Sequence, residues 1–362
     1  MLTGVLMLMF GVTGSAIVFL NEQEDFLFQD LTRVAPANDD ASARVGYQSI
    51  ADAARQTRPD LEINSISLPA TTNRAVTVQM RAPKNESGQA GNAQANAAAQ
   101  TLVYVNPHNG AVIGARDRGQ SAFRWIRVLH SNLHYGKTGR LIVGIFGLLL
   151  VLLCITGILV WATGKRNLKI NFRAAWKRLA WDLHNAIGVY SVVFIFVIAL
   201  TGAYFAWSPE TNAAINWLTR SQPPSESPAV PKPVNPTAVS LSLDEIVARA
   251  DGAMPNDPTT QIQFPTASNN AAVTIVKQLP ASFVRSRVFV NRFDGAILQV
   301  EDARQASTGA QIISLIAPLH FGTIGGIWTR IVWAATGIVL PLLFITGFLM
   351  WWNRVARRRF RQ

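Results

Sequence analysis

Cysteine is almost missing from this chain. The one residue, Cys154, sits inside an apolar run, which excludes a disulfide framework and a thiolate metal site. Charge is scarce as well: Asp, Glu, Lys and Arg supply 15% of the 362 residues, against 49% hydrophobic. No Gly-x-Gly-x-x-Gly stretch occurs, so there is no recognisable flavin or nicotinamide domain, and any electron donor must be a separate molecule. Histidine is limited to five positions, and three of them stand just ahead of long hydrophobic segments.

Those segments are Met1–Leu20, Leu141–Ala162, Ala186–Trp207 and Ile327–Trp352. A hydrocarbon layer of about 30 Å takes roughly 20 apolar residues of helix, so each reads as a membrane span. The first lacks a basic leader and a small-x-small cleavage site before "NEQED", which argues for a retained span over a signal peptide. Basic residues flanking spans stay on the cytoplasmic side. "GKRNLKINFRAAWKRLAW" between spans two and three holds six and no acid, and "RVARRRFRQ" after span four holds five. The reading is therefore a multi-pass membrane protein, with both termini cytoplasmic and two long loops facing the periplasm or cell exterior. Its boundaries are span one at 1–20, an outer domain at 21–126, span two with its approach at 127–163, a basic loop at 164–183, span three at 184–207, a second outer region at 208–316, span four with its approach at 317–352, and a basic tail at 353–362. Much of the net charge of +12 is this topogenic signal and calls for no nucleic-acid partner; the bilayer itself is the implied partner.

The outer loops repeat one another. "SLPATTNRAVTVQM" (67–80) parallels "FPTASNNAAVTIVK" (264–277), and "YVNPHNGAVI" (104–113) parallels "FVNRFDGAIL" (289–298). Each set follows a short helix candidate, "YQSIADAAR" or "SLDEIVARADGAM", and carries Asn-Gly or Asp-Gly between alternating runs. Two small α+β domains are expected. A low-complexity insertion, "NESGQAGNAQANAAAQ" (85–100), interrupts the first, and a Pro-rich linker, "SQPPSESPAVPKPVNP", precedes the second.

The spans echo each other too: "VTGSAIVF", "ITGILVW", "LTGAYFAW" and "ITGFLMWW". These Thr-Gly pairs read as close-packing points, since glycine lets helices approach and threonine bonds back to its own backbone. They also serve as a ruler. His130 lies 27 residues before Gly157 and His320 lies 27 before Gly347, so continuous helices would put the two imidazoles at equal depth. His134 would then be one turn further in on the face of His130. His184 opens span three from the other side, 18 residues before Gly202. The result is an outer tier of His130, His134 and His320 and an inner tier of His184.

Ionisable groups beside spans are functional candidates by default, and imidazoles on facing helices are a usual way to hold haem iron. The competing reading is interfacial polar residues that cap helices or meet headgroups. A zinc or copper site finds no nearby Cys or carboxylate cluster. Between His130 and His134 the ligand role stays open, the other serving a haem propionate or orienting the ligand. Arg124, Arg127, Lys137 and Arg140 surround this tier and suit haem propionates or an anionic iron chelate, or lipid phosphate. Glu22, Glu24 and Asp25 read as solvated, and His108 as a turn residue matched by Phe293 in the second repeat.

Taken together, "HSNLHYGKTGR" before "ITGILVW", "WDLHNAIGVY" before "LTGAYFAW" and "PLHFGTIGG" before "ITGFLMWW" resemble the PepSY-associated transmembrane-helix family, and the two outer repeats look like its PepSY modules. The resemblance covers nearly the whole chain. It implies a four-helix bundle in a bacterial inner membrane with two periplasmic α+β domains, one or two b-type haems, and a role like that of its ferric-siderophore reductases. It further implies an outer haem held by His130 and His320 and an inner haem using His184, with a ferric siderophore as substrate and a cytoplasmic or membrane electron donor. One departure concerns the first span, which in the family opens with its own histidine. The 18-residue offset of His184, applied to Gly14, falls upstream of Met1, so either the chain begins further upstream or the inner haem lacks a ligand; Met7 and Met9 lie several residues deeper than that tier. The alternative classes are a membrane anchor whose PepSY domains bind a peptidase or envelope partner, and a periplasmic metal-handling protein.

Overall fold

The computed structural model describes residues 2–35, 44–83, 100–164, 168–223, 228, 240–265, 272–279 and 282–359. The low-complexity insertion, apart from Gln100, and most of the Pro-rich linker lie outside the described residues. In chain order the helices are α1 (Leu2–Ile17), α2 (Leu20–Leu27), α3 (Gln29–Thr32), α4 (Tyr47–Thr57), α5 (Ala122–Asn132), α6 (Gly136–Thr163), α7 (Trp176–Tyr204), α8 (Ser208–Leu218), α9 (Leu243–Ala253), α10 (Thr308–Phe321) and α11 (Gly326–Arg359). The strands are β1 (Glu62–Ser67), β2 (Val76–Arg81), β3 (Thr101–Val105), β4 (Val112–Asp117), β5 (Thr259–Gln263), β6 (Val273–Lys277), β7 (Ser286–Val290) and β8 (Ile297–Glu301).

The chain divides into a helical unit (1–20, 125–215 and 312–362) and a sheet unit (21–124 and 216–311). In the helical unit α6, α7 and α11 are long and apolar enough to cross a membrane. α1 joins them only as part of a bent pair with α2, the two axes turning by 56°. The expected first span to Leu20 is therefore shorter as a helix: it stops at Ile17, and the Glu- and Asp-bearing turn that follows runs in another direction. α1 packs on α11, α11 on α7 and α7 on α6, and Phe10 stacks on Phe146 across α1 and α6 at 5.0 Å. Small residues permit this closeness. A Cβ on Gly11 would overlap the Gly337 carbonyl, and Ser15 Oγ donates to the Ala334 carbonyl at 2.7 Å. Inside lie Phe10, Phe146, Leu150, Cys154, Ile195, Ala199 and Leu340, while Leu149, Leu153, Val193 and Ile338 face outward, as a lipid environment requires.

The sheet unit corrects the expectation of two small domains. All eight strands form one antiparallel sheet in the order β4-β3-β2-β1-β5-β6-β7-β8. The repeats meet where Ser65, Ile66 and Ser67 pair with Gln263, Ile262 and Gln261. α4 and α9 lie on one face and bury Ile50, Ala54, Ile246 and Ala250 against Ile66, Val78, Ile262, Ile275 and Val288 in a single core. Each fully buried aliphatic side chain of this kind stabilises by about 1.5–3 kcal/mol, so neither half needs to be self-sufficient. The aligned turns share their geometry at two points: Gly110 and Gly295 adopt φ of +73° and +74°, and Asn106 and Asn291 Oδ1 accept from the backbone N–H of His108 and Phe293. His108 is the turn residue expected, its Nε2 meeting the Thr72 carbonyl at 2.9 Å.

Candidate imidazole site in the helical bundle

Both histidine stretches are broken, which overturns the continuous-helix count. α5 ends at Asn132 and α6 begins at Gly136, with Leu133 and His134 left-handed at φ of 55° and 56° and Gly136 at 58°. α10 ends at Phe321 and α11 begins at Gly326, between left-handed Gly322 and Gly326. A side chain on the far side of such a break does not continue the face before it. His134 accordingly has its own surroundings: it is exposed, its ring lies 4.8 Å from that of Trp125, and its Nε2 meets the Trp125 carbonyl at 3.0 Å. That nitrogen is used up as a hydrogen-bond donor.

His130 and His320 are treated differently. His130 Nδ1 lies 2.9 Å from Thr13 Oγ1 on α1, and its Cε1 is 3.0 Å from where a Cβ on Gly14 would stand. His320 Nδ1 lies 3.1 Å from Thr201 Oγ1 on α7, and its Cε1 is likewise 3.0 Å from a Cβ on Gly202. Each ring thus rests on the bare backbone of a Thr-Gly step belonging to another helix. Each also has an edge-on phenylalanine, Phe10 at 5.6 Å from His130 and Phe205 at 5.3 Å from His320. Both rings lie in the helical unit, each against a helix other than its own.

His184 repeats the arrangement at the opposite end of α7. Its Nδ1 is 2.9 Å from Thr346 Oγ1 and its Cε1 is 3.3 Å from a Cβ on Gly347. Seventeen residues separate it from Thr201, about 25 Å of helix. The fourth step differs: a Cβ on Gly157 would meet nothing within 4 Å. Among the described residues no group of three or more His, Cys, Asp or Glu is gathered as a metal cluster, and a two-imidazole iron site needs none.

The threonines and glycines were legible in the sequence only as packing. Their constant pairing was the signal that could have found the seats, since a lone Thr-Gly carries no such information. Arg127, Lys137 and Arg140 are exposed on the stretch around His130, and Arg124 is half-buried.

Comparison with known proteins sharpens this picture. The family model of the PepSY-associated TM region matches residues 1–354. The chain belongs to that family. Among curated proteins, an uncharacterized protein of Pseudomonas aeruginosa is 27% identical over 252 residues, covering 63% of this chain. The match spans 62% of that relative's own length. As a PepSY-associated membrane protein the chain carries the two structural marks read above: apolar helices of membrane-spanning length and a duplicated antiparallel sheet.

Proposed function

We propose that this protein is a b-type haem protein of the inner membrane that delivers electrons to a periplasmic ferric chelate of siderophore type. The observation that carries the reading is the like seating of His130 and His320, each held through Nδ1 by another helix, with no hydrogen bond to either Nε2 among the described residues. A neutral imidazole presenting a bare Nε2 is a donor that suits haem iron. The residues present therefore fit the group. Haem, when bound, supplies reversible one-electron transfer.

The chain's own residues supply the rest. His130 and His320 would hold an outer haem, and His184 would serve an inner one at the other end of α7. Phe10, Phe146 and Leu150 keep water from the interior, and a dry site favours electron transfer over side reactions. Exposed Arg127, Lys137 and Arg140 offer cations for propionates or for an anionic chelate arriving from outside. Reduction of a hard ferric centre weakens its grip on oxygen ligands, so one electron per iron is enough to loosen the chelate. The electron donor is a separate protein or membrane carrier.

The test is optical. Protein purified in detergent is expected to show a b-type pyridine-haemochrome spectrum and to be reoxidised by ferric siderophore after dithionite reduction. His130→Ala and His320→Ala are expected to lose the outer haem, and His134→Ala to keep it. A colourless wild-type preparation that binds a periplasmic partner would replace this reading with that of a membrane anchor. Bound copper or zinc without porphyrin would replace it with metal handling.

A further inference from the structure

We propose that Thr13, Thr201 and Thr346 are positioning residues that lock their imidazoles in the Nδ1–H tautomer, so that the lone pair of Nε2 is presented to a metal. The haem part of this inference rests on the function proposed above; the tautomer part stands without it.

The argument is one of hydrogen-bond counting. A threonine hydroxyl has one proton to give. Thr13 Oγ1 donates it to the Met9 carbonyl at 2.7 Å, Thr201 to Val197 at 2.6 Å and Thr346 to Leu342 at 2.8 Å. With the proton committed to the helix four residues back, each hydroxyl faces its histidine only as an acceptor. Nδ1 must then carry the hydrogen. For His320 the direction is fixed a second time, because Nδ1 also lies 3.1 Å from the Ile198 carbonyl, which can only accept. The adjoining glycine completes the seat by letting Cε1 rest where a Cβ would crowd it. The same device appears three times, on three different helices, and each time under a histidine. Thr156 makes the same backbone bond, to Leu152 at 2.8 Å, and has no imidazole beside it, so it is an internal control.

A hydrogen bond from the far ring nitrogen makes a ligating imidazole a stronger donor and stabilises the oxidised metal. Among the described residues His130 Nδ1 meets Thr13 alone, whereas His320 keeps the Ile198 carbonyl if Thr201 is lost. Thr13→Val should therefore matter more than Thr201→Val.

Two measurements test this on the full chain in detergent. In protein made in haem-deficient cells with ¹⁵N-labelled histidine, nitrogen shifts should report the Nδ1–H tautomer for His130, His184 and His320. Thr13→Val should mix the tautomers of His130, Thr13→Ser should restore one, and Thr156→Val should change none. In haem-loaded protein, Thr13→Val should raise the midpoint potential of the outer site more than Thr201→Val does, again with rescue by serine. An Nε2–H tautomer in the wild type, or a Thr13→Val protein unchanged in both readouts, overturns the proposal. Locked tautomers in a protein that takes up no haem would leave the seats standing and defeat only the haem reading.

Discussion

Replacing Gly14 by alanine sets two effects of known sign against each other. Gly14 lies within α1, where alanine is favoured over glycine by about 1 kcal/mol on backbone grounds. The added Cβ would stand 3.0 Å from His130 Cε1, closer than ordinary van der Waals contact, so the ring must give way by a few tenths of an ångström. Nδ1 is tied to Thr13, so the ring cannot slide freely, and the displacement is passed to Nε2. Disturbing groups that orient a metal ligand typically costs 10–100-fold in affinity, or about 1.4–2.8 kcal/mol. On the function proposed above, the protein should therefore unfold no earlier than wild type when haem-free, yet lose the proposed outer haem 10–100-fold more readily. Gly157→Ala gains the same helix propensity with nothing to strike within 4 Å, and should leave haem retention untouched. Thermal unfolding and haem transfer to apomyoglobin measure the two quantities. If Gly14→Ala holds haem as tightly as Gly157→Ala, the seat is mere packing and the reasoning fails.

Three further outcomes concern the sheet unit. Ile262 is fully buried where the repeats join, so Ile262→Ala should cost about 2–5 kcal/mol; hydrogen exchange should rise in β2 and β3 as well as β6 and β7, and a rise confined to the second repeat would contradict a shared core. Ser242→Ala removes a capping box at the start of α9 and should cost about 1 kcal/mol in thermal unfolding, with Ser242→Asp largely neutral. The Arg304 guanidinium hydrogen-bonds Asp257 and holds its carboxyl below the usual carboxylate value of 3.8. A depressed folded-state value means the contribution is present above the unfolded value and fades as pH falls through the folded one. Asp257→Asn should thus narrow the stability gap between neutral and strongly acidic pH, and an identical pH profile in denaturant melts would dismiss the ion pair.

Local chemistry was readable without coordinates. Apolar run lengths marked α6, α7 and α11, because hydrophobic thickness is a one-dimensional quantity. The Asn-Gly and Asp-Gly turns at 109–110 and 294–295 were readable because a left-handed glycine leaves its mark in two adjacent letters. The equal spacing of His130 and His320 was counted as continuous helix, but a helix break lies within each count, at 133–135 and at 322–325. The same counting failed for His134, since a left-handed pair at 133–134 turns the next side chain to another face.

Composition, spacing and repetition determined that the chain is a duplicated membrane protein with histidines at the ends of its apolar helices. Only the tertiary structure decided what those histidines rest on, and that the two outer repeats are one sheet. Both facts depend on groups far apart in the chain: Thr13 meets His130, Thr201 meets His320, and Ser65 pairs with Gln263. A hydroxyl that bonds back to its own helix while meeting a ring on another looks, residue by residue, like any packing threonine, and only its recurrence beside glycine hinted at more.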